Sequence, residues 1–157
     1  MNRILQFISI AIFSIFLGSQ ITEGILLVPY WKSLTTSAFY QYYSDFGPGI
    51  GKFYTTLTII SVLITLSVFC FCAIKKSSAL TYATLSTFFS LLVILLFYVY
   101  FKEVNQQFYL SAFNEKQLQV ELNNWSNWHW LRVLCEVLSI VFLILTFNNL
   151  NHKTEIN

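Results

Sequence analysis

Long apolar segments alternate with shorter polar stretches along this chain. Four segments are almost continuously apolar, and they cover residues 4–28, 53–74, 80–101 and 128–147. A helix needs about 20 mostly apolar residues to cross the hydrocarbon core of a bilayer, and each of the segments meets this length. The pattern therefore predicts an all-α integral membrane protein in which residues 1–157 form a single transmembrane domain, a four-helix bundle.

The connections between the segments differ in length. Only Lys75-Lys76-Ser77-Ser78 separates the second segment from the third, which predicts an antiparallel helical hairpin. The two longer connections are predicted to be helical and to lie at the outer surface. In the later one, Leu118, Leu122 and Trp125 share one face of a helix that is predicted to run straight into the fourth segment.

The earlier of the long connections is rich in aromatic residues. Thr35-Thr36-Ser37 can cap the start of a helix. The aromatic side chains that follow are at helical spacing: Phe39, Tyr42, Tyr43 and Phe46. Gly47-Pro48-Gly49 is predicted to end this helix. An aromatic-faced helix of this kind is expected to lie in the membrane interface or to fold over the mouth of the bundle.

The first segment has two interpretations. Met1-Asn2-Arg3 followed by an apolar run resembles a secretory signal peptide. However, the stretch from Ile4 to Gly18 is at the upper limit of length for such a peptide, and no A-x-A-like cleavage site follows it. Apolar sequence also resumes at residues 24–28 after a polar patch. We therefore predict an uncleaved helix with a polar patch near its far end.

The basic residues predict the orientation of the chain. With the N-terminus inside, the cytoplasmic basic residues are Arg3, Lys75, Lys76 and Lys153. Lys75-Lys76 is the only pair of adjacent basic residues, and it lies in the tightest loop. Basic residues close to the ends of spans carry the most weight for orientation. Both termini are therefore predicted to be cytoplasmic, in the plasma (inner) membrane.

Composition and charge exclude several classes of protein. The chain is 56% hydrophobic and 10% charged, whereas soluble domains carry about 25% charged residues. A net charge of +2 is too weak to attract nucleic acid. The expected partners are the lipid bilayer and a small lipophilic ligand. The cysteines are predicted to be packed thiols in apolar segments: Cys70, Cys72 and Cys135.

Ionisable side chains inside the predicted spans are expected to converge. His129, Arg132 and Glu136 are spaced i, i+3 and i+7, so they share one face of the fourth helix. Glu23 and Arg132 each lie about 6–7 Å inside the outer end of their segment at 1.5 Å per residue. Because the first and fourth helices run in opposite directions, the sequence predicts an ion pair between Glu23 and Arg132.

This polar cluster has a structural and a functional interpretation. In the structural one, Arg132 extends toward water, Glu136 pairs with it at i+4, and His129 lies in the wet interface. In the functional one, the cluster forms a polar pocket that opens outward. A metal site is disfavoured, because Arg132 would repel a cation placed among one histidine and two carboxylates.

The tryptophans near the outer ends of the segments are also open to two interpretations. They are Trp31, Trp125, Trp128 and Trp130. Anchoring in an aromatic belt at the membrane surface is favoured over stacking on a ligand.

Several short motifs, spread over nearly the whole chain, suggest a family. They are Gly24-x4-Pro29-Tyr30-Trp31-Lys32-Ser33-Leu34, Asn105 after the third segment, and Glu121-x3-Trp125-x2-Trp128-His129-x2-Arg132. In these motifs the chain resembles the anthrone oxygenase-like family of small four-span membrane proteins. Family members from fungal polyketide pathways oxidise anthrones to anthraquinones with molecular oxygen and no evident cofactor. The resemblance implies Asn105, His129 and Arg132 as the matching polar positions.

Two functional hypotheses follow. The first is a cofactor-independent membrane oxidoreductase that acts on a small lipophilic aromatic or quinone-like compound, with His129 or Glu23 as base and Arg132 stabilising the anion. Its candidate substrate-binding residues are Asn105, Glu136, Trp31 and Trp128. The second is a non-catalytic ligand-binding or accessory protein whose polar cluster is structural. If Glu136 has no partner other than Arg132, the cluster contains one carboxylate more than ion pairing needs. That excess would favour the oxidoreductase.

We expect reporter fusions to show the predicted orientation. A reporter fused after Lys76 should report the cytoplasmic side, because basic residues in short loops next to spans are retained there. A reporter inserted near Asp45 or Glu115 should report the external side. Paired fusions to alkaline phosphatase and to a fluorescent protein give the measurement, and the opposite labelling pattern would reverse the orientation.

Overall fold

Four long helices make up the described part of the chain. The structure is a computed structural model, and it describes residues 2–152. We number the helices α1 to α4, and their bounds are Arg3–Ser33, Thr36–Ile74, Leu80–Tyr109 and Glu115–His152. Each helix is long and apolar enough to cross a membrane, and no strand occurs within residues 2–152. The predicted all-α fold with four apolar helices is confirmed.

Both described ends of the chain lie beside the turn that joins α2 to α3. Ser78 Oγ donates to Asn149 Oδ1 at 2.8 Å. Gln6 and Asn151 exchange side-chain hydrogen bonds of 3.1 and 2.8 Å. We call this end of the bundle the hairpin end and the opposite end the aromatic end. The turn occupies only residues 75–79, which confirms the predicted hairpin.

The helices extend well beyond the apolar segments. α2 has 39 residues and α4 has 38, whereas about 20 residues cross a hydrocarbon core. The additional turns lie at the aromatic end and form most of the two long connections. The later connection is helical as predicted, because α4 begins at Glu115 and buries Leu118, Leu122 and Trp125.

The sequence-based expectation that Gly47-Pro48-Gly49 ends a separate helix is wrong. α2 continues through this motif without a break. Pro48 removes one backbone hydrogen bond, to the carbonyl of Ser44, and both residues lie on the exposed face of the helix. On the opposite face Phe39 and Tyr43 are buried and pack edge-to-face on Phe108 at 5.1 and 5.3 Å. This packing fixes the turns of α2 that precede the proline against α3.

The hairpin half of the bundle has an apolar core with small polar residues at its helix contacts. Phe13, Phe16, Leu143 and Phe147 are among its buried side chains. α3 and α4 approach closely through Ser86 and Ser139, whose hydroxyls each donate to the other residue's carbonyl at 2.9 and 2.8 Å. Small residues of this kind let two helices pack backbone to backbone.

The cysteines fit this packing in part. Cys72 and Cys135 are buried free thiols, as predicted, whereas Cys70 is exposed.

The aromatic end is held by ring contacts between all four helices. Trp31 lies 5.2 Å from Trp125, and Phe101 lies 5.3 Å from Trp125, both edge-to-face. Trp31 and Trp125 are buried, so the expectation that they anchor in a surface belt is wrong for these two residues. Trp130 is exposed and Trp128 is half-buried. Which tryptophans are buried depends on how the helices are rotated against one another.

α1 approaches α4 most tightly at Gly24. A Cβ atom at this position would lie 2.9 Å from the Trp130 ring and 3.0 Å from Nε2 of His129. Gly18, on the same helix, has nothing within 4 Å of the corresponding position. The two glycines therefore form a matched pair for testing the close contact.

We expect Gly24→Ala to destabilise the protein by about 1–3 kcal/mol, because the added methyl group overpacks the contact with His129. Gly18→Ala should leave stability unchanged or raise it, since the space is open and alanine favours a helix. Thermal unfolding in mild detergent, followed by helical circular dichroism, measures both. A Gly24→Ala protein that melts with the wild type would show that the helices are not in close contact here.

Candidate functional site

Two π-helical turns flank the polar cluster. One covers Glu23–Leu27 in α1, and the other covers Phe97–Phe101 in α3. Such turns insert an extra residue into a helix and often occur at functional sites. The first begins with Glu23, a buried carboxylate, and the second ends with Phe101, a buried ring. Both residues contact Arg132, and the sequence analysis predicted neither turn.

Arg132 is the centre of the cluster. Its Nη2 atom donates to Oε2 of Glu23 at 3.1 Å and to Oε1 of Gln20 at 2.7 Å. The predicted ion pair between Glu23 and Arg132 is therefore confirmed. The guanidinium carbon also lies 4.5 Å from the centre of the Phe101 ring, a cation–π contact. Gln20 belongs to the polar patch predicted near the far end of α1, and it lies one turn before Glu23 on the same helix face.

His129 is buried behind Arg132, and the expectation that it lies in a wet interface is wrong. Its side chain is 0% exposed. Nδ1 lies 2.8 Å from Nη2 of Arg132, which shares its two hydrogens among Nδ1, Gln20 and Glu23, and Nε2 lies 2.9 Å from the backbone carbonyl of Gln20. Because that carbonyl can only accept, the contacts fit the Nε2–H tautomer. The ring also stacks on Trp125 at 5.1 Å. Both nitrogens are therefore engaged in positioning Arg132 and α1.

Glu136 is a second buried carboxyl group, one turn farther along α4. It is 0% exposed, and neither of its oxygens has a hydrogen-bond partner in the described part of the chain. The expected i+4 pairing with Arg132 is not formed, because the guanidinium extends toward Glu23 and Gln20. The cluster thus holds two carboxyl groups and one guanidinium, so it is neutral only when one carboxyl group carries a proton.

A cavity of about 470 Å³ opens beside the cluster, within the usual size of a small-molecule site. Four predicted site residues line it: Glu23, Trp31, Asn105 and Arg132. The other three do not: Glu136, Trp128 and His129. The rest of the wall comes from Trp125 of α4, from α2 at residues 43–59 and from α3 at residues 93–109.

The cavity opens sideways between α2 and α3 rather than outward. All of its exposed wall residues belong to these two helices, and those from α1 and α4 are buried. At the aromatic end the cavity is closed by Tyr43 and Tyr109, whose rings lie 4.8 Å apart. A second contact closes the same end, because Tyr40 exchanges two hydrogen bonds with the backbone of Phe113. The predicted aromatic lid is thus present as a continuation of α2.

Two residues that line the cavity each have a buried donor that makes no hydrogen bond and has almost no surface open to the cavity. The donors are Nε1 of Trp31 and Nε of Arg132, which have no partner among residues 2–152. Both side chains contact the ring of Trp125, whose own Nε1 donates to Asn105 Oδ1 at 3.1 Å. A buried donor without a partner costs about 1–3 kcal/mol. A ligand would satisfy these donors if it brought an oxygen acceptor and the side chains that cover them shifted to admit it.

Searches against family models, curated proteins and solved structures found no match to this chain. The resemblance to the anthrone oxygenase-like family stays a prediction from short motifs. Function is therefore inferred from the geometry of the cluster and the cavity.

Trp128 takes part in the packing of α3 against α4 and does not line the cavity. Its ring stacks on Tyr100 at 5.0 Å with an interplanar angle of 14°. The Tyr100 hydroxyl donates to the carboxylate of Glu121. These contacts join α3 to α4 away from the cavity. Trp128 is thus a control position for Trp31, which lines the cavity.

The part of the chain that the structure describes contains no group of three or more His, Cys, Asp or Glu side chains able to hold a metal ion. The cationic group in the cluster is Arg132.

We expect Glu23 and Arg132 to be energetically coupled. Arg132→Gln should destabilise the protein by about 3–5 kcal/mol, because it leaves the Glu23 carboxylate buried without a cation. The double change, Glu23→Gln with Arg132→Gln, should recover part of that loss. Glu103→Gln, at an exposed acid on α3, serves as the control and should not change stability. Additive losses in a detergent melting series would show that the two groups do not interact.

Proposed function

We propose that this chain is an integral membrane protein that binds a small lipophilic compound in the cavity beside Arg132. One observation carries the proposal: two residues that line the cavity, Trp31 and Arg132, each have a buried donor (Nε1 and Nε) without a partner within the described residues. Much of the remaining wall is apolar or aromatic. A ligand that fits this wall has a flat apolar body and an oxygen acceptor, as phenols and quinones do.

The proposed membrane setting rests on the four helices and on the basic turn. The helices are long and apolar enough to span, and Lys75-Lys76 favours a cytoplasmic hairpin end in the plasma (inner) membrane. Both termini would then be cytoplasmic, and the cavity would lie toward the external side. Lys153, on which part of this prediction depends, lies outside the described residues.

We propose further that the bound compound is oxidised. Glu23 lines the cavity and is positioned to take a proton from an acidic C–H or O–H group, and Arg132 would stabilise the resulting anion. The anion reacts with molecular oxygen, so that a CH₂ group between two aromatic rings becomes C=O and one water leaves. The proton taken by Glu23 leaves with that water. His129 acts here through Arg132, because it does not line the cavity.

The alternative function is a non-catalytic ligand-binding or accessory protein. The network of Gln20, Glu23, His129 and Arg132 ties α1 to α4 by itself, and a structural role needs no reaction. The oxidoreductase and the ligand-binding protein both predict binding, only the oxidoreductase predicts consumption of oxygen, and an accessory protein predicts neither.

We expect quinones, hydroquinones or anthrones to raise the melting temperature of the wild-type protein in mild detergent. Trp31→Phe removes the unpaired donor and keeps an aromatic ring, so it should weaken binding by about tenfold, the value of one hydrogen bond. Trp128→Phe makes the same change away from the cavity and should leave binding unchanged. Oxygen uptake is measured on the same samples.

The outcomes separate the two functions. Binding with oxygen uptake supports the oxidoreductase, and binding without it supports the non-catalytic protein. If no compound shifts the wild-type melting temperature and no lipophile co-purifies by mass spectrometry, the proposal of a ligand site is wrong. Equal weakening by Trp31→Phe and Trp128→Phe would contradict the role given to the free donor of Trp31.

A further inference from the structure

The gap between α2 and α3 is bounded at both ends by contacts. At the hairpin side, Thr65 Oγ1 lies 2.7 Å from Ser90 Oγ, and Thr87 Oγ1 donates to the Thr65 carbonyl at 3.1 Å. At the aromatic side, α2 meets Tyr109 so closely that a Cβ on Gly47 would lie 2.8 Å from its hydroxyl. Gly47 and Thr65 are about 27 Å apart along α2 at 1.5 Å per residue.

Between these contacts the two helices are joined neither by hydrogen bonds nor by ring contacts. No hydrogen bond or ring contact connects residues 48–61 of α2 to residues 91–107 of α3, both of which are fully described. The cavity occupies this stretch and reaches Glu23 and Arg132 behind it. The gap is therefore a side opening that leads from the surface of the bundle to the polar cluster.

The rim of this opening is largely apolar. Ile59 on α2 and Phe97 and Tyr98 on α3 line the cavity and are exposed. Lys102 lies on the same rim, one turn beyond Tyr98 toward the aromatic end, with its ammonium 5.7 Å from the Tyr98 ring. An apolar rim with one cation at its outer corner suits the acyl region of a bilayer just below the headgroups.

We propose that the ligand is a membrane-resident amphiphile that reaches the cavity sideways from the bilayer, between α2 and α3. This inference rests on the proposed function. The head of the ligand is aromatic and carries an oxygen acceptor for the donors of Trp31 and Arg132. Its long apolar tail stays in the opening, against Ile59 and Phe97, and extends into the lipid. Because Tyr40, Tyr43 and their partners close the aromatic end, the direct route from water is blocked.

The test compares two probes in lipid nanodiscs: a benzoquinone that carries a decyl chain, and the same benzoquinone with a methyl group instead. Both are used at equal mole fraction in the bilayer, so that partitioning does not enter the comparison. We expect the decyl compound to bind the wild-type protein at least about tenfold more tightly, because its tail contacts the rim. Ligand-induced shifts of the melting temperature give the affinities.

Two positions on one face of α2 provide the variant and its control. Ile59 and Leu63 are 51% and 57% exposed, one turn apart, and only Ile59 lines the cavity. Ile59→Trp should weaken binding of the decyl compound by about tenfold and leave the methyl compound within about twofold. Leu63→Trp should change neither. Thr55→Trp, at the same rim, repeats the test at a second position.

The outcomes distinguish this inference from the function on which it rests. If both probes bind equally well and the rim variants have no effect, sideways access is overturned and the ligand site remains. If Ile59→Trp weakens both probes equally, the residue fills the cavity and does not contact a tail, which also overturns sideways access. If neither probe binds the wild-type protein, both proposals are wrong.

Discussion

The rest of this structure depends on the burial of the Arg132 guanidinium. A buried charge is tolerated only when it is paired and hydrogen-bonded, so side chains from neighbouring helices must converge on it. Glu23 and Gln20 of α1 supply oxygen acceptors, and His129 supplies a ring nitrogen. Phe101 of α3 covers the guanidinium face. This single group therefore sets the rotation of α1 and α3 against α4 and forms the polar wall of the cavity.

Two helices depart from regular α-helical geometry where they contact the Arg132 guanidinium. The π-helical turns occur where α1 and α3 contact Arg132, at Glu23–Leu27 and Phe97–Phe101. Gly24, within the first turn, leaves only enough space for the His129 ring. A π-helical turn costs free energy because its backbone hydrogen bonds have poorer geometry. Contact with the buried cation offsets that free energy. The turns carry no signature in single-residue propensities, which explains why the sequence did not predict them.

The packing shields the polar cluster around Arg132 at both ends of the bundle, and the cavity beside it opens between α2 and α3. Aromatic packing around Tyr43 closes one end of the bundle, and the hydroxyl contacts of Thr65 close the gap at the other side. Glu136 lies deeper, with no hydrogen-bond partner within residues 2–152. A second carboxyl group beside one guanidinium is not needed for stability, because a packed apolar side chain would serve as well. This favours chemistry over a purely structural cluster.

The sequence by itself determined the number of helices, the hairpin at residues 75–79 and the pairing of Glu23 with Arg132. These follow from apolar run length and from the fixed rise of a helix, which are local properties. Tertiary structure alone decided three features that the sequence analysis had wrong: the continuation of α2 through Pro48, the burial of His129 and the missing partner of Glu136. Each depends on how one helix is rotated and packed against another, and such contacts between distant segments are not encoded in periodicity or spacing.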